Sequence, residues 1–200
     1  MLADMSYYAN LSVPVITRDI EGAKKLLDEA GYSNGTNGKP PLRVTLKTSA
    51  GTIQVENARI LVAQAREAGI MLEHKPFDWG IYFSDVKSGN TELYTLSWPG
   101  IADPDLYFEL FHSSNIGKNN RTRYKNAEMD RLTEAGDSTL IPEKRRPHYL
   151  AIQELAARDL PFISLWHPKN TAVFRKNLRG VTVHPLGTWR VLFNVSKEAG

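Results

Sequence analysis

Two carboxylates two residues apart, Asp103 and Asp105, sit in the stretch WPGIADPDL, residues 98–106. Acids paired in this way can divide acid–base work between them or take a divalent cation. The intervening Pro104 argues for another use. An aspartate N-cap, a proline at the first helical position and an aspartate in the first turn are ordinary helix-start chemistry. Capping is the better-supported reading of Asp103 and Asp105, with any role facing a cleft secondary to it. Trp98 offers a flat apolar face and an indole N–H, which suit stacking on a ligand or holding a carbonyl. Arg121 and Arg123, in KNNRTRYKN (residues 118–126), carry forks that can bind carboxylates bidentately, although a solvated loop is the plainer expectation. Lys144, Arg145 and Arg146 form a short basic cluster at a helix start. Nucleic-acid binding wants more charge and interleaved aromatics, so no nucleic-acid partner is expected.

The remaining inventory is quiet. His74, His112, His148, His167 and His184 never fall at a metal-ligand spacing such as His-x-x-x-His. His112 fits a helix end, and Ser113 and Ser114 beside it are neighbours in sequence rather than a triad. Glycine signatures for phosphates, dinucleotides or a nucleophilic serine are missing, so no catalyst, metal or cofactor is expected. The chain has no cysteine, which excludes disulfide scaffolds, thiolate metal sites and cysteine nucleophiles together. With 200 residues, 42% hydrophobic and 24% charged, it has material for a real core. A net charge of +3 is too mild to name a partner. No apolar run approaches the ~18 residues that span a bilayer. The first residues lack the basic start and apolar stretch of a signal peptide, so the chain as written is expected to stay where it is made.

These side chains need elements to position them. Ala23, Leu26, Leu27 and Ala30 recur at helical spacing after Asp19, a cap, and before Gly31, a stop. Residues 33–41 are loop, and residues 42–48 alternate Leu42, Val44 and Leu46 against Arg43, Thr45 and Lys47 as a half-buried strand. A helix over 52–69 turns Val55, Ala58, Val62 and Ala65 to one face. Residues 70–74 begin a second strand, 79–87 a helix, and 93–98 a third strand. The order strand–helix–strand–helix–strand predicts parallel, right-handed crossover units over 42–98. Trp79 and its aromatic neighbours in FDWGIYF (residues 77–83) can be core, rim of the cleft, or both, with core the plainer expectation. Helices follow over 104–111, 126–135 and 142–159, the last turning Tyr149, Ile152, Leu155 and Ala156 inward. Residues 159–168 read as a buried strand entered through Pro161, and those from 169 onward as β-rich pieces with tight turns.

Four segments, in order, resemble one family. They are AKKLLDEAGY (23–32), TLSWPGIADPDLYFELFHSSN (95–115), RYKNAEMDRL (123–132) and RPHYLAIQELAARDLPFISLWH (146–167). Together they are similar to the extracellular solute-binding proteins of peptide-type ABC importers, and the evidence is their order rather than any one motif. The resemblance covers the carboxy-terminal part of such a receptor. It implies a periplasmic-binding-protein-like α/β lobe with a mostly parallel sheet flanked by helices and a β-rich tail. Residues 1–18 would be a connecting arm, 19–168 the second lobe, and 169–200 a segment returning to a first lobe that the chain lacks.

The function implied is a non-enzymatic receptor, periplasmic or extracellular, that traps a small solute or peptide by hinge closure and docks on importer permease subunits. Trp98, Pro99, Gly100, Ile101, Asp103 and Arg121 would supply this lobe's ligand wall. Trp98 to Asp103 leave the carboxyl end of the third strand, where ligands sit in open α/β sheets. In peptide-binding members a carboxylate three residues after that Trp pairs with the ligand's amine. Here the position is Ile101, and a buried ammonium without a counter-charge is costly. The implied ligand is therefore not an ordinary peptide gripped by its amino terminus. Two rivals remain: a stand-alone lobe that self-associates, as a homodimer, through its uncovered face, with Val191, Leu192 and Phe193 among the exposed apolar residues, and a hydrolase using Asp103 and Asp105.

Overall fold

The computed structural model of the chain describes residues 7–33, 38–98, 101–167, 169–184 and 187–198. Pro99 and Gly100, two of the expected ligand-wall residues, lie outside the described residues. Contacts divide the chain into two compact units. One is Pro14–Leu96 with Ile116–Arg123; the other is the chain up to Val13, Ser97–Asn115 and everything from Tyr124 onward.

The first unit is α/β. Helix α1 (Ile20–Glu29) opens as expected, with Asp19 Oδ1 accepting the Gly22 N–H at 2.8 Å. Strand β1 (Leu42–Ser49), helix α2 (Thr52–Glu67), strand β2 (Ile70–Phe77), helix α3 (Trp79–Ser88) and strand β3 (Leu93–Tyr94) follow. β1 pairs with β2 in parallel along its whole length, from Leu42↔Ile70 to Ser49↔Phe77. It pairs with β3 in parallel only at Leu46↔Leu93 and Lys47↔Tyr94, giving the order β2-β1-β3. The predicted parallel crossovers are therefore present, with β1 central and its Leu46 and Thr48 buried. Pro76, which lacks an N–H, is tolerated because β2 is the edge of the sheet among the described residues. Ala58 of α2 and Tyr82 and Val86 of α3 are buried.

Two expectations for this unit need correction. The third strand ends at Tyr94 rather than Trp98: just past it the Thr95 carbonyl accepts from the Tyr82 hydroxyl instead of from a ladder partner. Trp79 is not core. It is 57% exposed, and Tyr82, one helical turn on, takes the buried position.

The second unit is mainly helical. Its described helices are α4 (Leu106–Phe111), α5 (Ala127–Ser138) and α6 (Pro142–Asp159). Leu110 and Phe111 of α4, Met129 and Leu132 of α5, and Tyr149, Ile152 and Leu155 of α6 form one buried cluster, so α6 presents the predicted face. Asn126 caps α5 by accepting from the N–H groups of Glu128 and Met129. α5 and α6 approach closely at Gly136, where an added Cβ would lie 3.0 Å from Tyr149 Cζ.

Here too the structure differs in three places. α4 starts at Leu106, two residues later than the capping reading of Asp103 required. Residues 161–167 form no strand, and Ile163, Leu165 and Trp166 are exposed. An apolar run shows that burial would stabilise it; it does not supply the surface to bury against. In the tail, the described strands are two-residue pieces, β4 (Leu178–Arg179) and β5 (Ser196–Lys197), paired antiparallel, with a 3₁₀ turn at Trp189–Leu192.

Candidate functional site

Within the helical unit, the turn at residues 101–105 is held by one side chain from α6. Arg145 donates from Nη1 to Asp103 Oδ2 at 2.9 Å and from Nη2 to Asp103 Oδ1 at 2.7 Å. Its Nε donates to the Gly136 carbonyl at 2.9 Å, and Nη2 also lies 3.1 Å from the Tyr149 hydroxyl. The guanidinium stands 5.0 Å from the Tyr149 ring centroid and 5.6 Å from that of Tyr8. Arg145 is only 14% exposed, so this fork-on-fork pair works in a partly dry setting where it is worth more than a surface ion pair. Asp103 Oδ1 also accepts the Asp105 N–H at 3.0 Å, closing the turn.

This geometry revises the two acids. Asp103 is neither a helix cap nor free for metal or acid–base chemistry, because Arg145 takes both of its oxygens. The Arg145 hydrogen bonds hold its carboxyl below the usual range. Burial, and then the neighbouring Asp103 charge, push Asp105 up. Among the described residues no cluster of three His, Asp or Glu side chains could hold a metal ion. Trp98 and Ile101 are half-buried, Trp98 against the Leu110–Leu155 cluster, whereas Ala102, Asp103 and Asp105 are exposed.

At the end of α4, His112 Nδ1 lies 2.7 Å from Ser114 Oγ and Nε2 lies 3.1 Å from Glu134 Oε1. The order hydroxyl–imidazole–carboxylate copies a catalytic array. Ser114, however, also turns its own N–H onto the same Nδ1 at 3.2 Å, the mark of a local turn rather than an aimed nucleophile. Ser113 is likewise engaged, its N–H and Oγ donating to Asp130 at 2.7 and 2.5 Å.

Arg121 belongs to the α/β unit. Its guanidinium lies 4.9 Å from the Phe83 ring centroid, and Phe83 stacks on Trp79 at 5.2 Å. The Lys87 ammonium lies 5.9 Å from the same Phe83 ring. Trp79, Phe83 and Lys87 recur every four residues, so they share one face of α3. Arg121 is thus half-buried on an aromatic rather than a solvated loop residue, and the exposed Trp79 is a second candidate contact, for which the sequence favoured core over the cleft rim. The i, i+4 spacing from Trp79 to Phe83 was the signal available. An open cavity of about 480 Å³ lies elsewhere, over the amino-terminal ends of β1 and β2, with Arg43, Thr45, Glu73 and Glu92 among its lining. It is at the wrong end of a parallel sheet for a ligand, and Glu92 is already spent on the Thr45 N–H at 2.6 Å.

Comparison with known proteins places the chain. Residues 2–119 match the family described as "Bacterial extracellular solute-binding proteins, family 5 Middle", and the chain belongs to that family. It is 30% identical over 203 residues to the oligopeptide-binding protein AppA of Bacillus subtilis, a match covering 96% of this chain and 36% of that protein. It is 28% identical over 171 residues to heme-binding protein A of Haemophilus influenzae, covering 84% and 31%. The structure is similar to the periplasmic binding protein DppA of Helicobacter pylori, solved with the peptide STSA, with a TM-score of 0.81 and 25% identity over 96% of this chain and 37% of that one. The chain therefore spans about a third of the length of the curated relatives it matches. The periplasmic-binding-protein-like fold expected from the resemblance is the fold observed.

Proposed function

We propose that the chain is the second lobe of an extracellular solute-binding receptor that captures a peptide-like or other small solute and delivers it, without chemistry, to the permease subunits of an ABC importer. The observation that carries this reading is the clamped turn at residues 101–105. It follows the carboxyl end of β3, it is fixed by Arg145, and Trp98 just before it keeps part of its face uncovered. Trp98, Ile101 and Asp103 of the helical unit would meet the solute, with Pro99 and Gly100 joining by chain position, and Arg121 is proposed as a separate contact from the α/β unit. Closure against the first lobe would supply the remaining contacts and the form that docks on the permease. The names of the relatives, oligopeptide-binding and heme-binding, support a family whose members take different solutes. Ile101, where an acid would grip a peptide amine, favours a solute that does not depend on one.

The test begins with size and place. Antibody against this chain should detect a cell-envelope species of about three times its mass, as the 36% share in AppA implies. Tri-alanine and N-acetyl-tri-alanine titrated onto that species should bind comparably, and Trp98→Ala should weaken both by about tenfold. A cytoplasmic species at 22.5 kDa, or a Trp98→Ala variant with unchanged affinity, would sink the reading.

A second reading is favoured by one observation. Ile163, Trp166, Val173, Phe174, Trp189 and Phe193 are all exposed, and we assign them to the surface that the first lobe covers. Without that lobe the same face would pair two copies of the chain. A mass that doubles with concentration in light scattering would support the homodimer, whereas a constant monomer would count against it.

A further inference from the structure

Residues 7–10 lie against α6, which holds both their backbone and their side chains. Arg146 Nε donates to the Tyr7 carbonyl at 2.7 Å. Gln153 Nε2 donates to the Tyr8 carbonyl at 2.7 Å, and Gln153 Oε1 accepts the Asn10 N–H at 3.0 Å. One amide thus bonds both the Tyr8 C=O and the Asn10 N–H two residues on. Asn10 answers through Nδ2, which donates to the Leu150 carbonyl at 3.1 Å and to Glu154 Oε1 at 2.9 Å. The clasp places the Tyr8 ring edge-on to Tyr149, with centroids 5.5 Å apart. Arg145 is then flanked by Tyr8 at 5.6 Å and Tyr149 at 5.0 Å while both its terminal nitrogens hold Asp103.

We propose that Arg145 is the positioning residue of the turn at 101–105, and that it couples this turn to the docked segment at 7–10 through Tyr8. The proposal rests on the solute-binding reading for its biological meaning, but not for its test. Tyr8 reaches the turn through the guanidinium, in cation–π contact on one side and in a charged fork on the other. Holding the ring limits the rotamers open to Arg145, and a fixed Arg145 limits the positions open to Asp103. Coupling of this kind is reciprocal: whatever docking contributes to the order of the turn, the turn contributes to docking.

Two amides report the two ends without any solute: the Asp105 N–H, bonded to Asp103 Oδ1, and the Asn10 N–H, bonded to Gln153 Oε1. Hydrogen exchange should be followed at both in the 200-residue chain. Tyr8→Ala should speed exchange at Asp105 by about fivefold, the size of one cation–π contact, although Tyr8 is not a hydrogen-bond partner of that turn. Tyr8→Phe keeps the ring but loses the hydroxyl that also bonds Arg145, so its rate should fall between that of Tyr8→Ala and the native rate. In the reverse direction, Asp103→Asn should speed exchange at Asn10. Exchange in the middle of α5 serves as the control for general loosening. If Tyr8→Ala leaves Asp105 unchanged, or if every variant speeds α5 equally, the contacts are local packing and the coupling is wrong. Neither result bears on whether the receptor binds a solute, so failure here and failure of the functional reading can be told apart.

Discussion

The hydroxyl of Tyr82 donates to the carbonyl of Thr95, tying the buried face of α3 to the residue just beyond β3. Tyr82 is 1% exposed, and burial pushes its phenol up to about 12. Tyr82→Phe removes the donor and leaves the carbonyl without that partner, so it should cost about 1–3 kcal/mol in urea denaturation. The same tyrosine sets an alkaline limit. Its native value is raised above the ordinary 10, so its contribution is fully present below pH 10 and is lost as pH rises through about 12. Tyr149 is pushed up to about 12 by its own burial and should act with it. Tyrosinate absorbance should therefore develop in two stages, the second coinciding with unfolding; a single early stage that leaves the fold intact would contradict this.

On the acid side the relevant group is His74 of β2. Its Nε2 lies 2.8 Å from Oγ1 of the fully buried Thr48. Burial, and then the charge of Arg59, lower its value below the usual 6.5. A histidine with a lowered native value favours the neutral form in the fold. Its contribution is complete above pH 6.5 and is lost as pH falls through the lower native value. The urea midpoint should drop across that interval in the native chain and drop less in His74→Asn. Equal pH profiles for the two proteins would refute this role.

Core and rim should respond very differently to truncation. Ile152 is fully buried in the cluster of the helical unit, and Ile152→Ala should cost about 2–5 kcal/mol. Ile163 is 73% exposed, and Ile163→Ser should stay within about 0.5 kcal/mol in the monomer. Calorimetric melting of the two variants distinguishes them at once; a large cost at Ile163 would mean the residue is covered in solution.

The α/β unit was legible because its signals are local. Leu42, Val44 and Leu46 alternate, Val55 to Ala65 recur at helical spacing, and parallel pairing follows from the order of the elements. Trp79 misled because hydrophobicity names both it and Tyr82 as core candidates, and only the register of α3 on the sheet chooses between them. The run at 159–168 misled for a related reason: its apolar character was read correctly and its covering surface was assumed. In the candidate site, Asp103 and the cluster Lys144, Arg145 and Arg146 were each noticed, but nothing local joins two segments 42 residues apart. The clasp of residues 7–10 on α6 left no sign at all, since it is made largely to backbone, which every sequence possesses.

A ribosome releases residues 7–10 long before their partners, which lie 140 to 144 positions further on for Asn10. The α/β unit can close once Arg123 has emerged, because Ile116–Arg123 is its last piece. The helical unit must wait for α6, holding Tyr7 and Tyr8 unsatisfied while well over a hundred residues are added. Its closure entropy is correspondingly large and its formation late. The chain is thus built to mature in two acts, with the segment made early serving as the final fastening of the part made last.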